Sequence, residues 1–126
     1  MSIESLVYGR LTSYSGITAI TTRTYPLLLP QSPTYEALTY QKISNTEQKG
    51  TSTLKDARFQ LNCWAASYGE AHALATEVKA AFEEWHDLDQ IPGVNFARVV
   101  GETDEYDDDT KVYRVIIDVM LTTTGD

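Results

Sequence analysis

Cysteine, basic residues and long apolar runs are all scarce in this chain, and each shortage excludes something. The single cysteine, Cys63, cannot close an internal disulfide, which agrees with a reducing compartment. No apolar run approaches the roughly 20 residues needed to cross a bilayer, so no membrane partner is expected. The N-terminus, Met1-Ser2-Ile3-Glu4, lacks the basic and apolar regions of a signal peptide, and an intracellular product is expected. Ten Lys and Arg face eighteen Asp and Glu, for a net charge of −8. An acidic chain without a basic stripe argues against gripping nucleic acid.

Chemical motifs are as scarce. There is no CxxC or HExxH pattern and no phosphate-cradling glycine loop. Cys63 with His72 or His86 as its base is the one nucleophile on offer. It falls on the apolar face of an expected strand, where a small buried thiol is the usual content, and no third group is implied. The run Asp104-Glu105-Tyr106-Asp107-Asp108-Asp109 offers oxygen ligands to a divalent cation. It lacks the glycine and the downstream glutamate of an EF-hand register. No catalytic, cofactor-binding or metal-ligating residue is expected, and the chain reads as a non-enzyme.

What is present is organised around Ala57 to Trp85. Phe59, Leu61, Cys63 and Ala65 alternate with Arg58, Gln60 and Asn62, the period of a strand with one buried face. Trp64 breaks the alternation by sitting on the polar face. Ser67-Tyr68-Gly69-Glu70 reads as a capping box, in which the Ser67 hydroxyl accepts from the Glu70 amide and the Glu70 carboxylate reaches back. Beyond it, Ala71, Leu74, Ala75, Val78, Ala81, Phe82 and Trp85 make one apolar helical stripe, opposite Glu77, Lys79, Glu83 and Glu84. At 126 residues the whole is one domain. The fold class expected is α+β, a small antiparallel or mixed sheet with two helices packed on one face.

Ahead of this stretch, Ile3, Leu6, Val7, Leu11 and Tyr14 predict a short helix with Ser2 as N-cap, ending near Ser15-Gly16 at a left-handed glycine. Ile17 to Ile20 reads as a brief turn or extended piece. Tyr25 to Pro33 holds three of the four prolines, which excludes a central strand or a helix. It reads as an extended connection whose leucines tuck against the core, and its Pro30-Gln31-Ser32-Pro33 match is too short to imply a ligand for proline-recognising domains. Leu38 to Ser44 is a strand, paired antiparallel with the organising strand through a polar, mobile loop from Asn45 to Asp56.

After the long helix, Val94 to Val100 reads as a strand with Val94, Phe96 and Val100 pointing one way, followed by an acidic loop from Glu102 to Asp109. Ten carboxylates and one arginine lie between Glu83 and Asp109, a net of −9, which leaves +1 for the rest. That acidity reads either as a solvated surface or as one meant to repel another polyanion. The last strand, Lys111 to Thr122, is apolar on both faces: Tyr113, Val115, Ile117, Val119 and Leu121 on one, and Val112, Ile116 and Met120 on the other, interrupted by Arg114 and Asp118. Helices cover only one side of a small sheet. The second face, together with Trp64, is therefore covered by another subunit or by loops over a central strand, and Trp64, Val112, Ile116 and Met120 are the candidate interface residues.

Several pieces together resemble the small tail-completion (tail-terminator) proteins of long-tailed bacteriophages. They are Arg23-Thr24-Tyr25-Pro26 followed by Pro30-Gln31, then Tyr40-Gln41-Lys42-Ile43-Ser44, then Arg58 to Ala65 running into Tyr68-Gly69-Glu70-Ala71 and Leu74-Ala75, and a closing strand Tyr113 to Val119. The resemblance implies an α+β subunit, assembled with other copies into a ring, usually a hexamer. The ring caps the tail tube, ends its polymerisation and offers a surface to the head-completion or connector protein. DNA passes through its centre without specific binding. The implied location is the virion, at the head–tail interface, after assembly in the host cytoplasm. In such a ring Asp107, Asp108 and Asp109 are expected to face the channel or its rim. The acidic run is longer than the resemblance leads one to expect. A non-viral acidic binding or adaptor module and a small hydrolase are the alternative functions, and gene neighbourhood separates them.

Overall fold

A computed structural model of the chain describes residues 2–47, 54–89 and 92–124. Its elements, in order, are α1 (Ile3–Ser13), α2 (Ser15–Thr18), β1 (Thr24–Pro26), β2 (Ala37–Glu47), β3 (Leu54–Ala65), α3 (Tyr68–Phe82), β4 (Gly93–Asp107) and β5 (Val112–Thr124). The two periodicities of the organising stretch give β3 and α3 with only a tight turn between them. Ser67 caps α3 in extended conformation, and its hydroxyl accepts from the Glu70 amide at 3.2 Å. The Glu70 carboxylate returns to the Ser67 hydroxyl, 2.8 Å away. Ser67→Ala is expected to lower stability by about 1 kcal/mol, since one donor at the helix start loses its acceptor. Thermal melts that also show recovery in Ser67→Asn check this.

Among the described residues, five strands form one mixed sheet in the order β1-β2-β3-β5-β4. β1 runs parallel to β2 at one edge, and every other pairing is antiparallel. β2 and β3 are neighbours, as expected. Leu61 stands opposite Ile117, Phe59 opposite Val119 and Cys63 opposite Val115. These residues, all fully or almost fully buried, make the floor of a single core. The lid consists of Leu74, Ala75, Val78, Ala81 and Phe82 from α3, Leu6, Val7 and Leu11 from α1, and Ile17 from α2. An α+β fold with helices on one face of the sheet is what forms.

Several expectations need correction. A further helix, α2, takes up Ser15–Thr18, across the expected end of α1 and the first half of the turn or extended piece expected at Ile17 to Ile20. α1 ends at Tyr14 in extended conformation, and Gly16 lies inside α2 instead of capping α1. The polar stretch Asn45 to Asp56 is not all loop: strand pairing continues through Glu47 opposite Lys55, because ladder hydrogen bonds need no apolar side chain. Gly50 and the rest of residues 48–53 lie outside the described residues.

The acidic stretch is likewise strand, not loop, as far as Asp107, with Glu102 paired to Ile117 and Asp107 to Val112. Within β4, bulges interrupt the register between Val94 and Phe96 and between Val99 and Gly101. Each adds a residue and reverses the alternation. Val94 and Ala97 are buried in consequence, while Phe96 and Val100 are 47% and 42% exposed and do not share the face of Val94. Two of the three leucines of the proline stretch do not tuck in either: Leu27 is 62% and Leu28 79% exposed, while Leu29 is half-buried.

One packing feature had no sequence signal. The Arg10 guanidinium of α1 donates to the Ala81 carbonyl at 2.8 Å and lies over the rings of Tyr14 and Trp85 at 5.0 and 5.2 Å. It thereby satisfies a carbonyl in the last turn of α3, where intrahelical partners run out. Burial pushes its pKa below the usual arginine value, with Tyr14 and Asp87 opposing the shift.

Candidate assembly surfaces

Side chains on the sheet face away from the helices come from alternate positions of β3, β5 and β4. Trp64, on this face, donates its indole N–H to the Thr39 hydroxyl at 3.0 Å and carries the Arg114 guanidinium over its ring at 5.0 Å. Arg114 also pairs with Glu105, and desolvation draws its pKa downward. Val112 and Ile116 retain only 4% and 7% exposure within the single chain. Their neighbours on β3 and β4 shield them already. Trp64 and Met120 are half-buried. Nearby, Arg58 and Asp118 approach to 3.6 Å, and Arg98 stands exposed opposite Met120.

Asp107, Asp108 and Asp109 form the far end of the β4–β5 hairpin, and all three are exposed. The Asp107 carboxylate closes the turn by accepting from the Asp109 amide at 2.9 Å and the Thr110 amide at 3.5 Å. Among the described residues none of the three has a cation at ion-pair distance. The acidic residues before the tip differ. Lys79 holds Glu102 at 2.8 Å, the His72 ring lies 2.9 Å from Asp104 and 3.7 Å from Glu102, and the Tyr68 hydroxyl donates to Asp104 at 2.9 Å. That last bond favours the protonated phenol and raises the Tyr68 pKa.

This clasp joins one face of α3 to one face of β4. Ligand atoms of His72, Glu102 and Asp104 lie within 4.8 Å of one another, but Lys79 and Tyr68 already engage the two carboxylates. Sequence reasoning missed it, although the spacing was there. Positions 68, 72 and 79 share a helix face, and 102 and 104 share a strand face. Cys63 is fully buried under α3, and burial pushes its thiol far above the usual value. His86 is exposed and outside the clasp.

Two apolar features stand at opposite edges of the sheet. At the β4–β5 edge a cavity of about 200 Å³ is lined by Tyr68, Asp104, Tyr106, Tyr113 and Val115 among others. Its rings are set obliquely, with Tyr106 and Tyr113 centroids 4.7 Å apart and Tyr68 and Tyr113 centroids 6.0 Å apart. At the β1 edge, Leu27 and Leu28 project from the loop that follows Pro26. Leu27 adopts φ 63°, and its amide donates to the Tyr40 carbonyl at 2.9 Å.

The fold is similar to that of a chain in the virion of a native gene transfer agent particle. The two share 14% identity over 98% of this chain and 96% of that one, with a TM-score of 0.73. No curated sequence matches the chain. The family model described as tail completion protein gp17 matches residues 5–124. The chain belongs to this family of tail completion proteins, structural components of the bacteriophage virion tail.

Proposed function

We propose that the chain forms a ring, of six copies, at the head-proximal end of the tail. There it ends polymerisation of the tube and joins the tail to the head. Its partners are further copies of itself, the tail tube protein on one side and a head-completion or connector protein on the other. The work is done by surfaces and not by catalysis. Family membership across residues 5–124 carries this reading.

The one-sided subunit supports it. Helices cover one face of the sheet, and the other keeps Trp64 and Met120 half-buried beside exposed Arg58 and Arg98. Of the four candidate interface residues, Trp64 and Met120 have area left to give to a neighbour, and the exposed Phe96, opposite Thr122, lies on the same face. Val112 and Ile116 add little, being buried already. Asp107, Asp108 and Asp109 point into the channel or its rim, where carboxylates keep passing phosphates from adhering.

The test adds purified chain to growing tail tubes. Tubes that stop lengthening, with a ring of six copies visible at one end by electron microscopy, are the expected result. Tubes that grow at the same rate, with no density added at either end, would refute the reading.

A further inference from the structure

The two apolar features at opposite sheet edges are offset by a few residues along the strands. Thr24 on β1 pairs with Leu38, Leu38 with Cys63, Cys63 with Val115, and Val115 with Asp104 on β4. The leucine loop leaves β1 two residues further on, after Pro26, which through Tyr40, Leu61 and Ile117 stands level with Glu102, while the cavity opens at Asp104 to Tyr106. Four inter-strand spacings separate the edges, about 20 Å, so the loop cannot reach the cavity of its own chain.

We propose that the Leu27-Leu28 loop of one copy docks into the tyrosine-lined cavity of the next, rings being joined head to tail through this contact. The inference rests on the ring reading and deepens it by naming the interface.

Three observations favour a second copy as the occupant. The first is fit: a pair of exposed leucines needs an apolar receptacle, and a cavity of about 200 Å³ walled by three tyrosines and Val115 is one. The second is charge. Asp104 and Glu105 line the cavity, Arg114 there pairs with Glu105, and the acidic hairpin tip lies next along the strand, so the surround stays net negative and repels most of an acidic protein. The loop from Pro26 to Tyr35 carries no charged residue, so it approaches that rim without repulsion.

The third is preorganisation. The Arg23 side chain donates to the carbonyls of Thr34 and Glu36, both at 3.0 Å, and the Leu28 amide donates to the Pro26 carbonyl at 2.7 Å. Leu27 is held at positive φ, a conformation that non-glycine residues adopt at a cost and that recurs at binding sites. A loop braced with its leucines outward loses little freedom on docking. Each chain then carries one protrusion and one receptacle in different places, the heterologous arrangement that gives a ring where its rotation closes.

The experiment uses two full-length variants, Leu28→Asp to spoil the protrusion and Tyr106→Ala to open the receptacle. Both positions are exposed, so unchanged thermal melts are expected, and Leu28→Ser and Tyr68→Ala serve as alternates if either variant melts early. Assembly is read by native mass spectrometry in solution and by electron microscopy on tail tubes. Each variant alone should assemble at least about tenfold more weakly than the parent, the effect of removing one buried leucine or its pocket.

Mixed in equal amounts, the two variants retain one intact contact between a Tyr106→Ala protrusion and a Leu28→Asp receptacle. They should give heterodimers that grow no further. Parent rings accompanied by rings of either variant, at unchanged strength, overturn the docking and leave the ring reading standing. So do variant rings that form normally but no longer seat on tubes, which assign the cavity to the tube protein. A parent that stays monomeric both in solution and on tubes overturns docking and ring together.

Discussion

Phe82→Ala is expected to lower the stability of the subunit by about 3–5 kcal/mol, the largest loss from any single truncation of the helical stripe. Phe82 is fully buried at the last position of α3, in the core that also holds Val78 and Leu74. Its ring meets Trp85 edge-on, with centroids 5.5 Å apart and planes at 88°. Such a pair contributes about 0.5–1.5 kcal/mol beyond burial. The truncation therefore loses transfer energy, opens a cavity and frees Trp85 from one side.

Trp85 is also one of the two rings beneath Arg10, so α1 loses part of its hold on the end of α3. Thr76→Ala, on the exposed side of the same helix, should change stability by less than about 0.5 kcal/mol. Urea melts of both variants, compared at unchanged slope, separate the two sites. A loss below about 1 kcal/mol for Phe82→Ala would remove the stripe from the core.

That stripe was legible because burial and periodicity coincide there. Phe59, Leu61, Cys63 and Ala65 alternate, Leu74, Val78 and Phe82 recur every four residues, and both sets are buried. Where a strand is held without apolar burial, the signal vanishes. Glu102 to Asp107 have no apolar pattern, yet they pair residue for residue with Val112 to Ile117. β5 supplies the buried, β-branched template and β4 follows it as an exposed edge, where acidic side chains cost nothing in desolvation. The bulges in β4 were illegible for a related reason. An extra residue with no burial on either face leaves composition unchanged while reversing the alternation, and Phe96 ended on the wrong side.

Surface features divided in the same way. Trp64 on the polar face announced itself as an exception, and the structure places it beneath Arg114 with its N–H on Thr39. Val112 and Ile116 read correctly as a second apolar face of β5, but the sequence did not reveal that neighbouring strands already enclose them. Leu27 and Leu28 went the other way. Apolar residues are assigned to the core by default, whereas these two stand exposed, Leu27 at positive φ. Tertiary pairings such as His72 with Asp104 require knowing that α3 crosses β4, which periodicity alone does not supply.

Replacing Asp107, Asp108 and Asp109 together by asparagine should leave folding and assembly intact but make the proposed rings retain DNA. The residues close an exposed hairpin turn with no cation at ion-pair distance among the described residues, so no attraction is lost. Asparagine keeps the side-chain oxygen that accepts from the Asp109 and Thr110 amides at the Asp107 position, so the turn survives the change. What disappears is three negative charges per copy, multiplied around a ring. At low salt the Debye length is about 30 Å, and carboxylates anywhere near the channel act on phosphates within it; at 0.15 M it falls to about 8 Å. Variant rings should therefore hold DNA at low salt and release it as salt rises, and variant particles should eject their genomes more slowly than the parent. A hairpin on the outer wall would serve solubility instead, and its neutralisation would change neither quantity. Normal ejection rates, together with rings that show no new affinity for DNA at low salt, would put these carboxylates outside the channel.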